Sequence, residues 1–204
     1  AANVLRPMTT EVDGAKGVLD NVQQSVKSME SILSAFLDVM ALQTGKIDFK
    51  LDDLSMGMIV EQVVNQNRIA AHNKNIALNV QEIQGEFTAD FDRMVQVVGN
   101  LVSNAIKYSP FNSKIDIWVE AEGDIVRLCV RDEGPGVKED ERNKLFQEFS
   151  RTSNQPTGDE NSTGLGLWII KQLVSHFGGT VGADFPKEGG SIFWIEMPAR
   201  NEAQ

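Results

Sequence analysis

Three short segments hold residue types from which a site could be built. In Asn100-Leu-Val-Ser-Asn104-Ala-Ile-Lys107-Tyr108 the polar residues recur at spacings of four and three. At about 100° per residue, a helix would carry Asn100, Asn104 and Lys107 on one face. An amide oxygen can bind a hard cation such as Mg2+, which takes oxygen ligands and completes its shell with water or phosphate. Asparagine is a weaker helix former than Lys, Glu or Gln, so its double use on a merely wet face is unfavourable. A solvated polar stripe still accounts for the pattern when this helix is taken alone. The second segment, Asp132-Glu133-Gly134-Pro135-Gly136, follows an apolar alternation. A carboxylate at a strand end can accept a hydrogen bond from an exocyclic amine, and the glycines admit positive φ and close approach of a ligand. An ordinary turn uses the same glycines. The third segment, Gly164-Leu165-Gly166-Leu167, opens a second apolar stretch of helical period. A helix N-terminus with bare N–H groups and little side-chain bulk suits phosphate oxygens. No GxxxxGK[ST] occurs, and Gly164 and Gly166 neither follow a strand nor extend to GxGxxG, which disfavours a P-loop and a dinucleotide fold.

These segments need elements to position them. Met94, Val98, Leu101, Val102 and Ala105 lie opposite Arg93, Gln96, Asn100, Asn104 and Lys107, so a helix from Phe91 to Tyr108 buries one side and presents the other. Pro110 ends it. Ahead of it the pattern predicts a strand at about 47–52, a helix at about 55–73, and strands near 76–82 and 86–90. Beyond it the period changes. Ile115, Ile117 and Val119 alternate with Asp116, Trp118 and Glu120, and after Glu122-Gly123-Asp124 so do Val126, Leu128 and Val130, an antiparallel hairpin that delivers Asp132. The Ser/Thr/Asn/Gly-rich stretch 150–163 is the segment expected to be mobile. A helix at about 164–177 and strands at about 179–184 and 190–197 follow. The mixture predicts an α+β two-layer sandwich rather than a parallel βαβ sheet.

Upstream, Val18, Val22, Val26, Met29, Ile32, Leu33, Phe36, Leu37, Met40 and Ala41 form a helical stripe, and Gly14 and Gly17 interrupt the pattern before it. Residues 1–45 therefore read as a helical hairpin with too little core of its own. A homodimer through this hairpin is expected, packing on its own domain being the alternative. Gly45 marks the boundary between this dimerisation domain and a second domain, 46–204. The chain is 41% hydrophobic and 24% charged, with a net charge of −10. No apolar run reaches the roughly 18 residues of a membrane span, although an anchor in a longer parent protein stays open. The negative charge, without a Lys/Arg cluster, argues against nucleic acid as a partner. The single cysteine, Cys129, excludes an internal disulfide and a cysteine-clustered zinc site. With no signal-type leader, it points to the cytoplasm.

In order and spacing, the segments resemble the catalytic ATP-binding domain of sensor histidine kinases, in the wider family that includes gyrase, Hsp90 and MutL. Asn100 to Pro110 is similar to the N box, Asp132 to Gly136 to the first glycine box, Phe146-Gln-Glu-Phe149 to the F box, and Gly164 to Leu167 to the second glycine box. The match runs over roughly 46–198, and four boxes in sequence are specific where one is weak. The resemblance implies a Bergerat-type two-layer α/β sandwich with ATP and Mg2+ as cofactors. It implies that Asn104 binds Mg2+ with Asn100 beside it, that Lys107 and Tyr108 line the nucleotide site, and that Asp132 reads the adenine amine between Gly134 and Gly136. Asn100, Asn104 and Lys107 would be the catalytic groups. Residues 147–163 would form a lid with Phe146 and Phe149 anchoring its start, a job that plain core packing of both rings would also satisfy. Arg151 would lie near the phosphates, with Gly164, Leu165, Gly166 and Leu167 giving them room. Gyrase-like relatives carry a water-activating glutamate where this chain has Asn100, which has no useful basicity; hydrolysis as the main activity is disfavoured.

Such kinases pass the γ-phosphoryl of ATP to a histidine on the hairpin and then to an aspartate of a response-regulator receiver domain, or to a phosphotransfer protein. Residues 1–45 contain no histidine. The family pattern, His-Glu-Leu-Arg-Thr-Pro, puts proline five residues after the acceptor, and five residues before Pro7 is Ala2, with Asn3 replacing the acidic residue. A replaced acceptor, an acceptor further upstream and a degenerate relative all fit. His72 and His176 read as structural or surface residues, and Cys129 as a small strand residue. The sequence thus supports a kinase core, or a nucleotide-responsive dimeric module that regulates another kinase or a response regulator.

Overall fold

The computed structural model describes residues 26, 29, 33, 48–81, 84–158 and 164–200. The chain divides into two compact units, Ala1–Lys46 and Ile47–Gln204. Of the first, Val26, Met29 and Leu33 are described; they are helical and their side chains are exposed. The rest of the hairpin expected over 1–45 lies outside the described residues.

The second unit runs β1 (Leu51–Ser55), α1 (Met56–Asn73), β2 (Ala77–Val80), β3 (Glu86–Asp90), α2 (Phe91–Tyr108), β4 (Lys114–Glu122), β5 (Ile125–Asp132), α3 (Glu139–Arg142), α4 (Gly166–His176), β6 (Thr180–Asp184) and β7 (Ser191–Pro198). Asp90 starts α2: it is extended, and its Oδ1 accepts from Arg93 N at 3.1 Å. Its Oδ2 accepts from Lys50 N at 2.9 Å, which ties the chain entering β1 to the same cap. The strand expected at 47–52 begins at Leu51 instead. Its partner β3 ends at Asp90, opposite Leu51, and beyond that point the partner backbone turns helical. The one-turn α3 carries no apolar period and was not expected.

Five strands form one sheet in the order β2-β4-β5-β7-β6, with β1 and β3 a separate pair. The pairing is antiparallel except for β2 with β4, whose connection runs through β3 and α2. One face holds Ile115, Ile117, Val126, Leu128, Ile195 and Met197, all buried, as are Ile59, Val63, Met94, Val98, Leu101, Ile170 and Leu173 of α1, α2 and α4. Helix α2 packs between α1 and α4 and against β5. At about 1.5–3 kcal/mol for each large apolar side chain removed from water, this shared layer is what holds α2 to the sheet.

The other sheet face carries a row in register, Trp118, Cys129, Trp194 and Gly182. Gly182 is required there, because a Cβ would fall 2.0 Å from the Trp194 ring. Arg127 lies 4.7 Å over that ring and pairs with Glu196. Burial pushes the Cys129 thiol up to about 12, so it stays protonated. Among the described residues no helix is long and apolar enough to cross a membrane.

Candidate functional site

Because β7 inserts between β5 and β6, the end of β5 meets the start of β7, with Asp132 opposite Ser191. Asp132 is 3% exposed. Its Oδ1 accepts from Gly134 N at 2.8 Å and from Ser191 N at 3.2 Å. Burial pushes this carboxyl up to about 6, opposed by the backbone bonds from Gly134 and Ser191 and by the Ser191 side chain. A carboxylate whose orientation is fixed by two backbone donors is suited to accept from an exocyclic amine. Two glycines make room for it. A Cβ on Gly134 would lie 2.8 Å from Asp132 Oδ1 and 2.9 Å from Tyr108 O, so the loop passes between the carboxylate and the end of α2. Gly190 has φ +78°, and a Cβ there would come within 2.2 Å of Asp132 O. Gly136 follows on the same loop, its carbonyl accepting from Asn154 Nδ2 at 2.5 Å.

On α2, the face expected to be polar is half-buried at Arg93, Gln96, Asn100, Asn104, Lys107 and Tyr108. Something packs over it. An ideal Cβ on Gly166 would stand 3.8 Å from Asn104 Nδ2 and 4.0 Å from Asn100 Cγ, so the first residue of α4 faces both asparagines. Leu165, the N-cap of α4, is buried just before it and offers no side-chain cap, and Leu167 is half-buried. The Lys107 ammonium lies 6.0 Å from the Tyr108 ring centroid. Among the described residues there is no group of three or more His, Cys, Asp or Glu able to hold a metal ion.

The loop between α3 and α4 is pinned at several points. Glu141 accepts from Ser153 N at 2.8 Å and from Ser153 Oγ at 3.0 Å. Thr157 N donates to Lys107 O at 3.0 Å, and its hydroxyl lies 2.6 Å from Ser109 O. Gly164, at φ +73°, brings the loop's two ends together, since a Cβ there would meet Ser150 O at 2.8 Å and the exposed Arg151 at Cγ, 3.2 Å away. Phe149, expected with Phe146 to anchor the start of the lid, is 64% exposed and has a left-handed backbone, φ +54°, so its ring is not packed in the core. Leu145 is buried and Phe146 half-buried in its stead.

The structure adds Ser191 and Gly190 around Asp132, and Lys74 with Thr157 at the end of α2. For Ser191 the available signal was the glycine pair 189–190 before a strand; for Lys74, 83 residues from Thr157, there was none. His72 is exposed after the last buried turn of α1, and His176 lies 4.4 Å from the Phe49 ring, ring to ring.

Residues 89–201 match the family described as histidine kinase-, DNA gyrase B-, and HSP90-like ATPase. The hybrid signal transduction histidine kinase D of Dictyostelium discoideum is 28% identical over 189 residues, covering 88% of this chain and 12% of the relative. The sensory/regulatory protein RpfC of Xanthomonas campestris pv. campestris is 32% identical over 203 residues, covering 93% and 27%. The chain thus spans about an eighth to a quarter of these curated relatives. Among solved structures, full-length ShkA in complex with AMPPNP superposes with a TM-score of 0.69 at 28% identity, covering 87% of this chain and 38% of that one.

Proposed function

We propose, because this chain belongs to the histidine kinase-, DNA gyrase B-, and HSP90-like ATPase family, that it is the ATP-binding kinase core of a two-component sensor histidine kinase. One observation carries the reading: the Gly166 end of α4 stands against Asn100 and Asn104, which joins a polar helix face to the N-terminus of a second helix. Neither feature alone means more than a wet helix and a helix start. Together they make a place for phosphate oxygens and a cation.

ATP would enter with its adenine amine on Asp132 and its phosphates toward Gly164 and Gly166, with Lys107 and Tyr108 along the side and Arg151 nearby. The donor set suits Mg2+ that arrives with the nucleotide, since Asn104 offers one neutral oxygen and phosphates and water would fill the rest. Bound there, Mg2+ would neutralise charge on the phosphates. The residues would hold and orient the γ-phosphoryl, which is most of what phosphoryl transfer needs from a protein. Asn100 offers no base for activating water, so transfer to a histidine is favoured over hydrolysis. From there a response-regulator aspartate or a phosphotransfer protein would receive it. Val26, Met29 and Leu33, apolar, helical and exposed at one-turn spacings, support dimerisation through residues 1–45.

The test is a thermal-shift titration. Mg-ATP should raise the melting temperature of the chain, and Asn104→Ala should abolish the Mg-dependent part. No shift with wild type, or an unchanged Asn104→Ala, would sink the assignment. A second reading, a nucleotide-responsive dimeric interaction module, is favoured by the lack of histidine in 1–45. With γ-labelled ATP, acid-labile label on an Ala2→His variant but not on the wild type supports the kinase; label on neither supports the module.

A further inference from the structure

We propose that Lys74 is a positioning residue for the nucleotide site: its ammonium fastens Thr157 to the end of the helix that carries Asn100, Asn104 and Lys107. The inference rests on the nucleotide-binding reading above. Lys74 is the residue that caps α1, and it is 5% exposed. A lysine tolerates that burial only where its charge is well solvated by protein groups. Nζ donates to Ile106 O at 2.9 Å, to Lys107 O at 3.1 Å and to Thr157 Oγ1 at 2.8 Å. The two carbonyls belong to the last turn of α2, whose C-terminal oxygens lack helical partners and carry the negative end of the helix dipole. The ammonium answers both needs. Its backbone is fixed as well, because Asn112 N donates to Lys74 O at 3.0 Å.

Thr157 is exposed, so burial does not hold it. Its position comes from hydrogen bonds: its N–H to Lys107 O, its hydroxyl against Ser109 O, and the ammonium of Lys74 onto that hydroxyl. The segment that would cover the phosphates is therefore fastened directly behind Lys107 and Tyr108. Thr157 Oγ1 also reaches Lys107 O at 3.0 Å, but a charge-assisted bond is stronger than a neutral one, and Lys74 supplies the charged donor of this group.

The experiment compares wild type, Lys74→Met, Lys74→Arg, Thr157→Val and the Lys74→Met/Thr157→Val double variant in the full chain. Affinities for Mg-ATP and for adenosine are measured by calorimetry, alongside melting temperatures. Lys74→Met should lose about tenfold in Mg-ATP affinity, the size of one charged hydrogen bond. Adenosine, which engages Asp132 and has no phosphates, should keep its affinity. Lys74→Arg should recover most of the loss. Thr157→Val should reproduce part of it without lowering the melting temperature, and the double variant should bind no more weakly than Lys74→Met, because the two residues act as a unit. Equal losses for both ligands would make Lys74 a structural lysine only, and Mg-ATP binding that is unchanged or tighter in both single variants would equally overturn the proposal. Should Lys74→Met fail to fold, Thr157→Val alone decides. A wild type that binds neither ligand overturns the nucleotide reading itself, a distinct failure.

Discussion

At the scale of a residue, Asp132 is under two opposed demands. Burial raises its carboxyl to about 6, from 3.8 for a free aspartate, while a ligand amine would want it ionised. A carboxyl raised in the folded state adds stability that is fully present below pH 3.8 and lost as pH rises through about 6. Two units correspond to about 3 kcal/mol as an order of magnitude. Asp132→Asn removes that penalty while its amide oxygen can keep the bonds from Gly134 and Ser191. The variant should therefore resist urea better than wild type at pH 7.5, by ~1–3 kcal/mol, with the advantage vanishing toward pH 4. Its amide nitrogen would face the adenine amine donor to donor, and ATP affinity should fall about a hundredfold. Wild-type affinity should itself fall about tenfold for each pH unit below 6. Urea curves for both proteins across pH, with nucleotide titrations beside them, check this; a pH-independent loss of stability in Asp132→Asn would contradict it.

At the scale of elements, what the sequence disclosed depended on whether a signal was local. Helix α2 was legible to the residue, since its apolar period and the stop before Pro110 coincide with its ends, and Asp90 caps its start in the fold. The β4–β5 hairpin was legible from alternation on both arms. The start of β1 was not, because a strand ends where its partner ends, and Asp90 sets that from 39 residues away. The Asp132 neighbourhood was half legible: the aspartate and its glycines stand together in the sequence, whereas Ser191 arrives only because β7 inserts beside β5. The exposure of Phe149 was not legible, because its left-handed backbone is set by the turn and not by its spacing from Phe146. Asp90 joins these lessons, as it accepts from both Arg93 N and Lys50 N. Asp90→Ala should cost ~1–2 kcal/mol in urea unfolding, the range of a lost helix N-cap. Mg-ATP affinity at low temperature should stay within about twofold of wild type, because the cap lies at the far end of α2 from Lys107. A large affinity loss with little change in stability would mean that Asp90 serves the site rather than the helix.

For the whole molecule, the question is whether residues 1–45, which contain no histidine, hold two copies of the chain together. The apolar positions 26, 29 and 33 sit one helical turn apart and are 48%, 68% and 59% exposed, a stripe that a lone helix in water would not favour. Burying it between two copies must also overcome a charge of −10 on each. Association should therefore tighten as salt rises, the opposite of an interface held by ion pairs. Sedimentation equilibrium of the full chain should show a mass near twice 22.5 kDa that becomes more populated with salt. Met29→Glu with Leu33→Glu should return it to the monomer while leaving adenosine and Mg-ATP affinities intact, since the nucleotide residues all lie in the second unit. A double variant that stays dimeric would remove the hairpin stripe from the interface, and dimers that loosen with salt would replace the apolar account with an electrostatic one.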